Sequence, residues 1–568
     1  MSDGVALPSW AEDLRVRYIA GEASMFLLNG NVRDVYPWTS DSGTEYLTLR
    51  QFLERFLSRS KEIVSYYNVS EGMCFPSAGM GERCKRVINA QRIRKGQPGL
   101  DVWPREPVEV LPLIEAVVTD ISQRAAVVMD YVEMVVPMGD LSYMGEADKA
   151  NLVSLQRWSS DPALLLSDNL IILISENLSD VHRRVVGSAQ LAALAIPLPS
   201  EEERLDFLKS LDSSGVSLEV PLESLAMVTA GLTLVQIRGL FRRAAQSGEP
   251  LSFRVVSRRK KSIIEQECHG LVEFVDPDHD FSHVGGLDGL KANLMKVADA
   301  IKAGETNRVP MGLMFVGPMG TGKTYVAEAF AAESGLTCLK FKNFREKWVG
   351  STEGNLEKIL QVVDGLGYVL LILDEADRSL AGGDGDNGTG SRVIARLKEF
   401  MSDTSHRGRV VILMMTNRPD KLDTDLKRPG RFDQKIPFFF PETLEERELI
   451  LAALVRKNKL QLGPGVALTT AAEGTVGYSS AELEAVLLAA ANHCADQDRE
   501  ALHVEDLAAA VSDVIPSRDS RMLEFMEMLA VFESSSRKML PDRFKDMETD
   551  EVHARLDELR LQLGRRVG

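Results

Sequence analysis

The residues between positions 317 and 324 have the types and spacing needed to bind the phosphates of a nucleotide. They are Gly317, Pro318, Met319, Gly320, Thr321, Gly322, Lys323 and Thr324, and they match the pattern G-x-x-x-x-G-K-[ST] at every fixed position. Glycines allow backbone N–H groups to surround a polyphosphate, Lys323 can reach the β- and γ-phosphates, and the Thr324 hydroxyl can ligate Mg²⁺. The apolar residues 311–316 predict a buried strand before this loop, and residues 325–334 predict a helix after it. This context favours a phosphate-binding loop over a chance glycine-rich turn.

Polar side chains that suit phosphate hydrolysis follow two more apolar runs. Residues 369–373 lead into Asp374 and Glu375, and residues 410–415 lead towards Asn417. Asp374 can hold Mg²⁺ through water, and Glu375 can polarise a water in line with the γ-phosphate. The Asn417 amide can orient the attacking water without adding charge. The order of these residues after a full phosphate loop predicts a site that hydrolyses a nucleoside triphosphate.

These motifs follow one order over residues 281–515, and together they resemble the AAA family of ATPases. The order begins with Val284, Gly285, Gly286 and Leu287, continues through the phosphate loop, Ser-Thr-Glu-Gly-Asn at 351–355, the acid pair, Asn417 and Arg-Pro-Gly-Arg at 428–431, and ends with Gly-Tyr-Ser-Ser-Ala-Glu-Leu at 477–483. The likeness is greatest to the branch of proteasomal ATPases, FtsH-type membrane-bound proteases and valosin-type segregases. The whole layout is similar to bacterial and plastid-encoded AAA proteins with a degenerate N-terminal AAA-like module.

The resemblance implies an α/β fold, namely a P-loop NTPase of the AAA+ class with a helical lid. It implies that Lys323 and Thr324 contact the phosphates and magnesium. It makes Asp374 and Glu375 the Walker B pair, with Asp374 as the second metal-binding residue beside Thr324. Asn417 becomes the first sensor of the bound nucleotide.

Further residues enter the candidate site through the same resemblance, which implies that Val284, Gly285 and Tyr325 contact the nucleotide. Arg428 and Arg431 lie on a rigid Pro-Gly turn that can present guanidinium groups to a phosphate, but their position in the sequence does not assign them to their own subunit's site. The resemblance makes them arginine fingers that act on a neighbouring subunit's ATP. It therefore implies a homo-oligomeric ring, usually a hexamer.

The N-terminal half looks like a degraded copy of the later motifs. The segment 79–83 aligns with the phosphate loop, Asp130 with Asp374, Asn177 with Asn417 and Pro199 with Pro441, at separations of 240–244 positions. Nearly equal separations predict a duplicated module. Glu82 stands in place of the loop lysine, where its charge would repel a phosphate, and Tyr131 stands in place of the catalytic glutamate. We therefore expect no nucleotide turnover in this copy.

The chain is expected to contain six segments. They are a degenerate AAA-like α/β module at 1–200, its helical lid at 201–262, a connector at 263–280, the large AAA ATPase subdomain at 281–440, a second helical lid at 441–515 and a helical tail at 516–568. In the tail, one helical stripe suits packing within the chain, stabilisation of a ring or docking of a partner; it is formed by Val552, Leu556, Leu559 and Leu563.

Trp348, Val349 and Gly350 lie where AAA unfoldases carry a pore loop. A large flat side chain followed by glycine can grip an extended polypeptide through apolar contact while the loop moves with the nucleotide state. The alternative is that Trp348 packs into a subunit interface.

Composition limits the classes of partner. The net charge of −17 over 568 residues disfavours sequence-independent binding of nucleic acid. The basic run at 258–261 suits either a solvated connector or a contact with nucleic acid or an acidic partner. Five cysteines without metal-site spacing indicate reduced thiols. No apolar run approaches the roughly 20 residues that span a bilayer, and no secretory signal is visible. We therefore expect a soluble, cytoplasmic protein without a membrane span.

The sequence thus predicts an ATPase that uses ATP and Mg²⁺, forms a ring and remodels an unidentified protein or complex. It contains no His-Glu-x-x-His motif of a zinc protease. The alternative is a scaffold whose ring assembles on ATP binding and disassembles on hydrolysis, without threading a substrate. A nucleic-acid motor ranks third because of the acidic charge.

Overall fold

Two six-stranded sheets organise the chain, and in each the central strands are parallel while one edge pair is antiparallel. The computed structural model describes residues 7–40, 43–188, 190–211, 216–248, 250–268, 270–342, 352–379, 389–517 and 519–564. The chain divides into two units, one formed by residues 1–260 and 353–365 and the other by residues 261–352 and 366–568.

The first sheet is formed from strands that precede residue 197. The strands of this region are β1 (Met25–Gly30), β2 (Val35–Ser40), β3 (Gly43–Thr48), β4 (Ile63–Asn68), β5 (Gly72–Cys74), β6 (Ala125–Asp130), β7 (Leu170–Ile174) and β8 (Leu191–Ile196). The sheet order is β5-β4-β6-β7-β1-β8, and β2 pairs with β3 in a separate hairpin. Strands β1, β6 and β7 are almost wholly buried, as parallel strands covered on both faces must be.

Helices pack around this sheet and continue into the first predicted lid. They are α1 (Ser9–Ile19), α2 (Leu49–Leu57), α3 (Ala78–Arg94), α4 (Pro107–Val118), α5 (Glu146–Ser159), α6 (Pro162–Leu165), α7 (Arg183–Val186), α8 (Glu201–Ser210), α9 (Leu222–Val228), α10 (Leu234–Ser247) and α11 (Phe253–Glu267). In α10, Thr233 and Gln236 form a capping box at the N-terminus, and Leu234, Ile237 and Leu240 are buried along one face.

The second sheet carries the residues that the sequence assigns to chemistry. Its strands are β9 (Val272–Val275), β10 (Gly312–Val316), β11 (Thr337–Phe341), β12 (Val369–Leu373), β13 (Val410–Thr416) and β14 (Gln434–Pro437), in the order β14-β10-β13-β12-β11-β9. Every residue of β10, β12 and β13 is buried. Their parallel pairing brings the carboxyl ends of these three strands to one edge.

The helices of the second half include those of the second lid and of the tail. They are α12 (Asp288–Lys302), α13 (Lys323–Ser334), α14 (Thr352–Leu366), α15 (Ala376–Ser379), α16 (Thr389–Ser402), α17 (Leu444–Lys457), α18 (Thr469–Gly474), α19 (Ser480–Asp496), α20 (Val504–Asp513), α21 (Ser520–Glu533), α22 (Asp542–Lys545) and α23 (Thr549–Leu563). Two short strands, β15 (Gln461–Leu462) and β16 (Ala501–Leu502), pair within the lid.

The lid and the tail each have their own apolar core. Helices α17 to α20 bury Leu451, Leu483 and Leu487 among themselves. In the tail, the stripe predicted on α23 is buried against α21, as expected for packing within the chain rather than for an open docking face.

The strand order corrects one sequence alignment. In chain order, β1, β4, β6, β7 and β8 of the first sheet take the positions of β10 to β14 of the second. The counterpart of the phosphate loop therefore follows Gly30, at the end of β1. The prediction that residues 79–83 are that counterpart is wrong, because they lie inside α3, which Ser77 caps, after the antiparallel edge strand β5. The glycine spacing at 79–81 resembles that of the phosphate loop, which is the cause of the wrong alignment. The correspondences of Asp130 with Asp374 and of Asn177 with Asn417 agree with the strand order.

The segment after Gly30, which corresponds to the phosphate loop, contacts other parts of its module through two charged residues, Arg33 and Asp34. The Arg33 guanidinium lies 2.8 Å from an Asp130 carboxylate oxygen and 4.0 Å from the centroid of the Tyr131 ring. The neighbouring Asp34 carboxylate accepts the N–H groups of Leu234 and Val235 at the N-terminus of α10, both at 2.9 Å. A helix N-terminus of this kind favours an anion. The strand end that corresponds to the phosphate loop is therefore joined to other residues of the same module by Arg33 and Asp34.

We expect the chain to bind one nucleotide, not two. Arg33 and Asp34 occupy the strand end of the first sheet, and no lysine or threonine follows Gly30 at the spacing that phosphate binding needs. Titration calorimetry of the full chain with a non-hydrolysable ATP analogue should give a stoichiometry near one, and Lys323→Ala should leave no residual binding. A second bound nucleotide that persists in Lys323→Ala would contradict the inactive copy.

Candidate active site

The phosphate loop lies between β10 and α13, at the carboxyl end of a central strand. Gly317, Gly320 and Gly322 have φ values of 153°, 77° and 86°. A Cβ at Gly317 would lie 2.2 Å from the carbonyl oxygen of Phe438, and one at Gly320 would lie 2.9 Å from Ser479 Oγ. Backbone conformation favours glycine at all three positions, and close packing adds to this at Gly317 and Gly320. The motif glycines therefore have a structural cause in this chain.

Lys323 is the buried cation of the site. Its Nζ donates hydrogen bonds to the carbonyl oxygens of Gly317 (2.9 Å) and Pro318 (2.7 Å) and to Oδ1 of Asn417 (2.8 Å). Burial lowers the pKa of Lys323 to about 8, although the charges of Asp374 and Asp377 act in the opposite direction. The ammonium thus joins the loop to the polar tip of β13, at the position where a phosphate group would compete for it.

The two acids after β12 lie in a left-handed turn. Glu375 has a φ of 47°, and its N–H donates to Oδ1 of Asp374 at 2.9 Å. In the first sheet, Tyr131 has a φ of 56°, and its N–H donates to Oδ1 of Asp130 at 2.9 Å. Such conformations are uncommon outside glycine, so the shared turn supports the correspondence of the two strand ends. The residue in the left-handed conformation is a glutamate after the second sheet's strand and a tyrosine after the first sheet's strand.

The donor set beside the loop fits a magnesium ion. The Thr324 hydroxyl lies 3.4 Å from Oδ2 of Asp374, and hydroxyl and carboxylate oxygens are the hard ligands that Mg²⁺ prefers. Magnesium bound there would neutralise phosphate charge. Nζ of Lys340, at the end of β11, lies 3.0 Å from the same Asp374 oxygen. Lys340 was not identified from the sequence, because it lies on a strand that carries no motif.

Asp377 is a second residue that motif reading missed. Its Oδ1 accepts the Thr416 hydroxyl at 2.9 Å and the Asn417 N–H at 3.2 Å, and its side chain is buried. The carboxylate therefore fixes the backbone from which the Asn417 amide projects. A third acid shortly after Asp374 and Glu375 was the sequence signal that could have identified it.

Arg428 and Arg431 both contact one carboxylate of their own subunit. Nη1 of Arg431 donates to Oδ2 of Asp425 at 2.7 Å, and Nη1 of Arg428 lies 3.0 Å from Oδ1 of Asp425. The Arg431 guanidinium is the main cause that holds the pKa of Asp425 below its usual value. The Arg428 side chain is 74% exposed. Asp425 was not identified from the sequence, although it lies three positions before Arg428.

The cavity beside the loop is lined by loop residues 319–324, the acid pair and Asn417, but not by Gly317, Pro318 or either arginine in the described part of the chain. Its volume is about 470 Å³. The lining residues are Met319, Gly320, Thr321, Gly322, Lys323, Thr324, Tyr325, Asp374, Glu375, Met415, Thr416, Asn417, Leu454, Lys457, Ser480, Ala481 and Glu484. The structure thus brings the loop, the acid pair and Asn417 together, while Arg428 and Arg431 lie outside this lining in the part of the chain that the structure describes.

A second cavity of about 530 Å³ adjoins the first through shared residues of the loop and lid. Val284, Gly285 and Tyr325 line it, together with Met539 and Leu540 of the tail. A Cβ at Gly285 would lie 2.4 Å from the carbonyl oxygen of Leu449 in α17, so this close approach also requires glycine. The mostly apolar lining suits a nucleobase.

The lid contacts the phosphate loop directly. The N–H of Ala481 in α19 donates to the carbonyl oxygen of Gly320 at 3.0 Å. Lys457 of α17 pairs with Glu484 of α19 at 2.8 Å, and its ammonium lies 5.1 Å from the ring centroid of Tyr325. A nucleotide that alters the loop can therefore be sensed by the lid. The predicted pore-loop residues Trp348, Val349 and Gly350 lie outside the described residues.

Sequence families match most of the chain. Residues 2–197 match "AAA+ chaperone, N-terminal Rossmann-like domain", residues 202–269 match "AAA+ chaperone, second helical domain", and residues 313–440 match "ATPase family associated with various cellular activities (AAA)". Together with the strand order and the loop, these matches define a P-loop NTPase of the AAA+ class with a helical lid. The chain belongs to the AAA family of ATPases, and its N-terminal half matches AAA+ chaperone domains. The family and fold predictions are thereby confirmed.

The chain is similar to several curated AAA proteins. It is 31% identical over 406 residues to an ATP-dependent zinc metalloprotease FtsH of Acidothermus cellulolyticus. The aligned region covers 66% of this chain and 59% of that protein. It is 29% identical over 341 residues to the uncharacterized AAA domain-containing protein ycf46 of Trieres chinensis, which covers 57% of this chain and 67% of that protein. The human ATPase family gene 2 protein homolog B is 34% identical over 233 residues, or 39% of this chain and 30% of that protein. The chain thus spans well under two thirds of the FtsH relative.

None of the described helices combines the length and apolar character needed to cross a membrane.

Proposed function

We propose that the chain is an Mg²⁺-dependent ATPase that works as a ring and uses hydrolysis to remodel a protein or protein complex. The observation that carries this proposal is the gathering of the loop lysine, the strand-end acids and Asn417 around one cavity beside the phosphate loop. Arg428 and Arg431 lie outside the described lining of that cavity, which supports a site that a neighbouring subunit completes.

Each residue has a role that follows from its position. Lys323 gives up its loop carbonyl and amide partners to pair with the β- and γ-phosphates. Glu375, presented by the left-handed turn, polarises the attacking water, and Thr324 and Asp374 hold the metal ion. Asn417 loses its contact with Lys323 when phosphate binds, which frees its amide to orient the water.

The arginines support a ring. Arg428 and Arg431 share the exposed edge of Asp425, so a neighbouring subunit's nucleotide can replace that carboxylate as their partner. An arginine supplied in trans makes hydrolysis depend on assembly. Six subunits are expected by analogy with the family.

A protein substrate is favoured over nucleic acid. The net charge of −17 opposes binding to a polyanion. The families matched by the N-terminal half are described as AAA+ chaperone domains, and one relative is named an ATP-dependent metalloprotease. We therefore assign a polypeptide as the object of remodelling and keep residues 348–350 as the proposed gripping segment.

Glu375→Gln tests the proposal, because it keeps ATP bound while removing the carboxylate that polarises water. With ATP, this variant should remain in rings and retain a specific protein partner in affinity capture followed by mass spectrometry. The matched control is Glu399→Gln, whose side chain is 69% exposed, and ADP is the second control. Rings that carry no ATP-dependent partner would favour the nucleotide-switched scaffold instead.

A further inference from the structure

The segment that carries the arginine pair is held at both ends by one buried carboxylate. Glu533, the last residue of α21, has a side chain that is only 6% exposed. One of its oxygens pairs with the Lys427 ammonium, and the other lies 2.8 Å from Nζ of Lys435. Lys427 directly precedes Arg428, and Lys435 is the second residue of β14, four positions after Arg431. The tail thus closes a loop of chain around both arginines.

The negative charge of Glu533 is needed by both lysines. Without the carboxylate, two largely buried ammonium groups would face each other without a counterion, which the low dielectric of the interior disfavours. With the carboxylate in place, the ammonium groups of Lys427 and Lys435 bind the same side chain, which fixes the distance between the two ends of the segment. The Pro-Gly turn inside the segment is fixed separately, because the N–H of Gly430 donates to Oδ1 of Asp433 at 2.7 Å.

The same tail helix also touches the strand end that presents Asn417. The Lys427 ammonium donates to the carbonyl oxygen of Pro419 at 3.0 Å. The guanidinium of Arg418 lies 5.2 Å from the ring centroid of Phe525 in α21, a favourable cation–π distance. Helix α21 therefore joins the water-orienting strand end of a subunit's own site to the arginines that it offers outward.

The tail does not depend on Glu533 for its attachment. Ser535 Oγ accepts the N–H of Lys435 at 3.0 Å, and the N–H of Ser535 donates to the Lys435 carbonyl at 3.1 Å. Phe525 and Leu529 bury the apolar face of α21. A change of charge at position 533 should therefore alter the arginine segment while the helix stays docked.

We propose that Glu533 is a positioning residue that sets the placement of Arg428 and Arg431 and thereby controls ATP hydrolysis at the neighbouring subunit. The proposal rests on the proposed function, in which these arginines act in trans. It gives the C-terminal tail a role that the sequence stripe on α23 did not reveal.

Glu533→Gln is the test variant, because glutamine keeps the size of the side chain and removes its charge. A misplacement of about 1 Å in a catalytic group costs about a hundredfold in rate, so we expect hydrolysis to fall by about tenfold to a hundredfold. Affinity for a non-hydrolysable ATP analogue should change by less than about twofold, since the subunit's own loop is untouched. Glu533→Asp, which keeps the charge at shorter reach, should recover part of the activity.

The control is Glu524→Gln on the same helix, which removes a partly exposed ion pair with Arg555. It should leave hydrolysis unchanged, since exposed pairs contribute little.

Mixed rings separate positioning from general damage. Glu533→Gln subunits retain Glu375, so Glu375→Gln subunits, which have intact arginines, should restore hydrolysis at their interfaces. Arg428→Ala/Arg431→Ala subunits should restore none.

Two outcomes would overturn the role of Glu533 alone. One is unchanged hydrolysis in Glu533→Gln. The other is that Glu375→Gln subunits restore hydrolysis in the double arginine variant but not in Glu533→Gln. If the double arginine variant is not rescued either, the trans function itself fails and this proposal fails with it. Should Glu533→Gln not fold, Glu533→Asp carries the same mixing test.

Discussion

Lys323→Ala should abolish measurable ATP binding to the chain. A buried ammonium that pairs with phosphate oxygens contributes about 3 kcal/mol or more, which is about a hundredfold in affinity. The loss should also free the Asn417 amide, whose Oδ1 now accepts from Lys323 at 2.8 Å. Titration calorimetry with a non-hydrolysable analogue measures the effect, and Lys302→Ala, an exposed lysine at the end of α12, serves as the matched control. Affinity within about threefold of the unsubstituted chain would remove the basis of the assignment.

The protonation state of Lys323 supplies an independent check. Burial lowers its pKa to about 8 in the free chain, so the ammonium is increasingly lost as pH rises through that value. Phosphate charge favours the ammonium and raises the pKa, so binding must take up a proton when the free group is neutral. Near pH 8, about half a proton should be taken up per nucleotide, and affinity should fall as pH rises further. Calorimetry in buffers of different ionisation enthalpy measures this uptake. A binding heat near pH 8 that does not depend on the buffer would contradict it.

Much of the second half could be predicted because its motifs report local requirements. The loop glycines are required by φ values and by contacts of 2.2 Å and 2.9 Å with hypothetical Cβ atoms, so the glycine pattern carries the geometry. Asp374 and Asn417 follow wholly buried strands, whose continuous apolar runs are visible in the sequence. Parallel pairing then brings the strand ends together without further information.

The remaining residues depend on tertiary contacts that spacing does not encode. Asp425 and Lys340 become significant only through side-chain pairs with Arg431 and Asp374. Glu533 is about a hundred positions from both of its lysine partners. The alignment of residues 79–83 with the phosphate loop is wrong because a local glycine spacing resembled the motif. The strand order shows that the residues after Gly30 take that position instead. Local patterns therefore predict the candidate phosphate site, but not the side-chain contacts around it.

Replacement of both Arg428 and Arg431 by alanine should stop hydrolysis while leaving ATP bound. Arginines that stabilise the transferred phosphate contribute about a thousandfold or more to the rate, whereas the binding cavity of the same subunit includes neither residue. The control is Arg308→Ala, which removes an exposed arginine paired with Glu305 and should leave the rate unchanged. Steady-state phosphate release and analogue binding, measured on the same samples, separate the two effects.

Mixing this double variant with Glu375→Gln decides whether the arginines act across subunits. Each protein alone should be inactive, because one lacks the arginines and the other lacks the carboxylate that polarises water. In randomly mixed rings at equal amounts, about a quarter of interfaces should combine an intact Glu375 with intact arginines, so about a quarter of the normal rate should return. For that recovery, the arginines must exchange Asp425, now 2.7 Å from Arg431, for a phosphate of the neighbour. Inactivity at every mixing ratio, in rings shown by mass measurement to contain both variants, would place the arginines in a structural role within their own subunit.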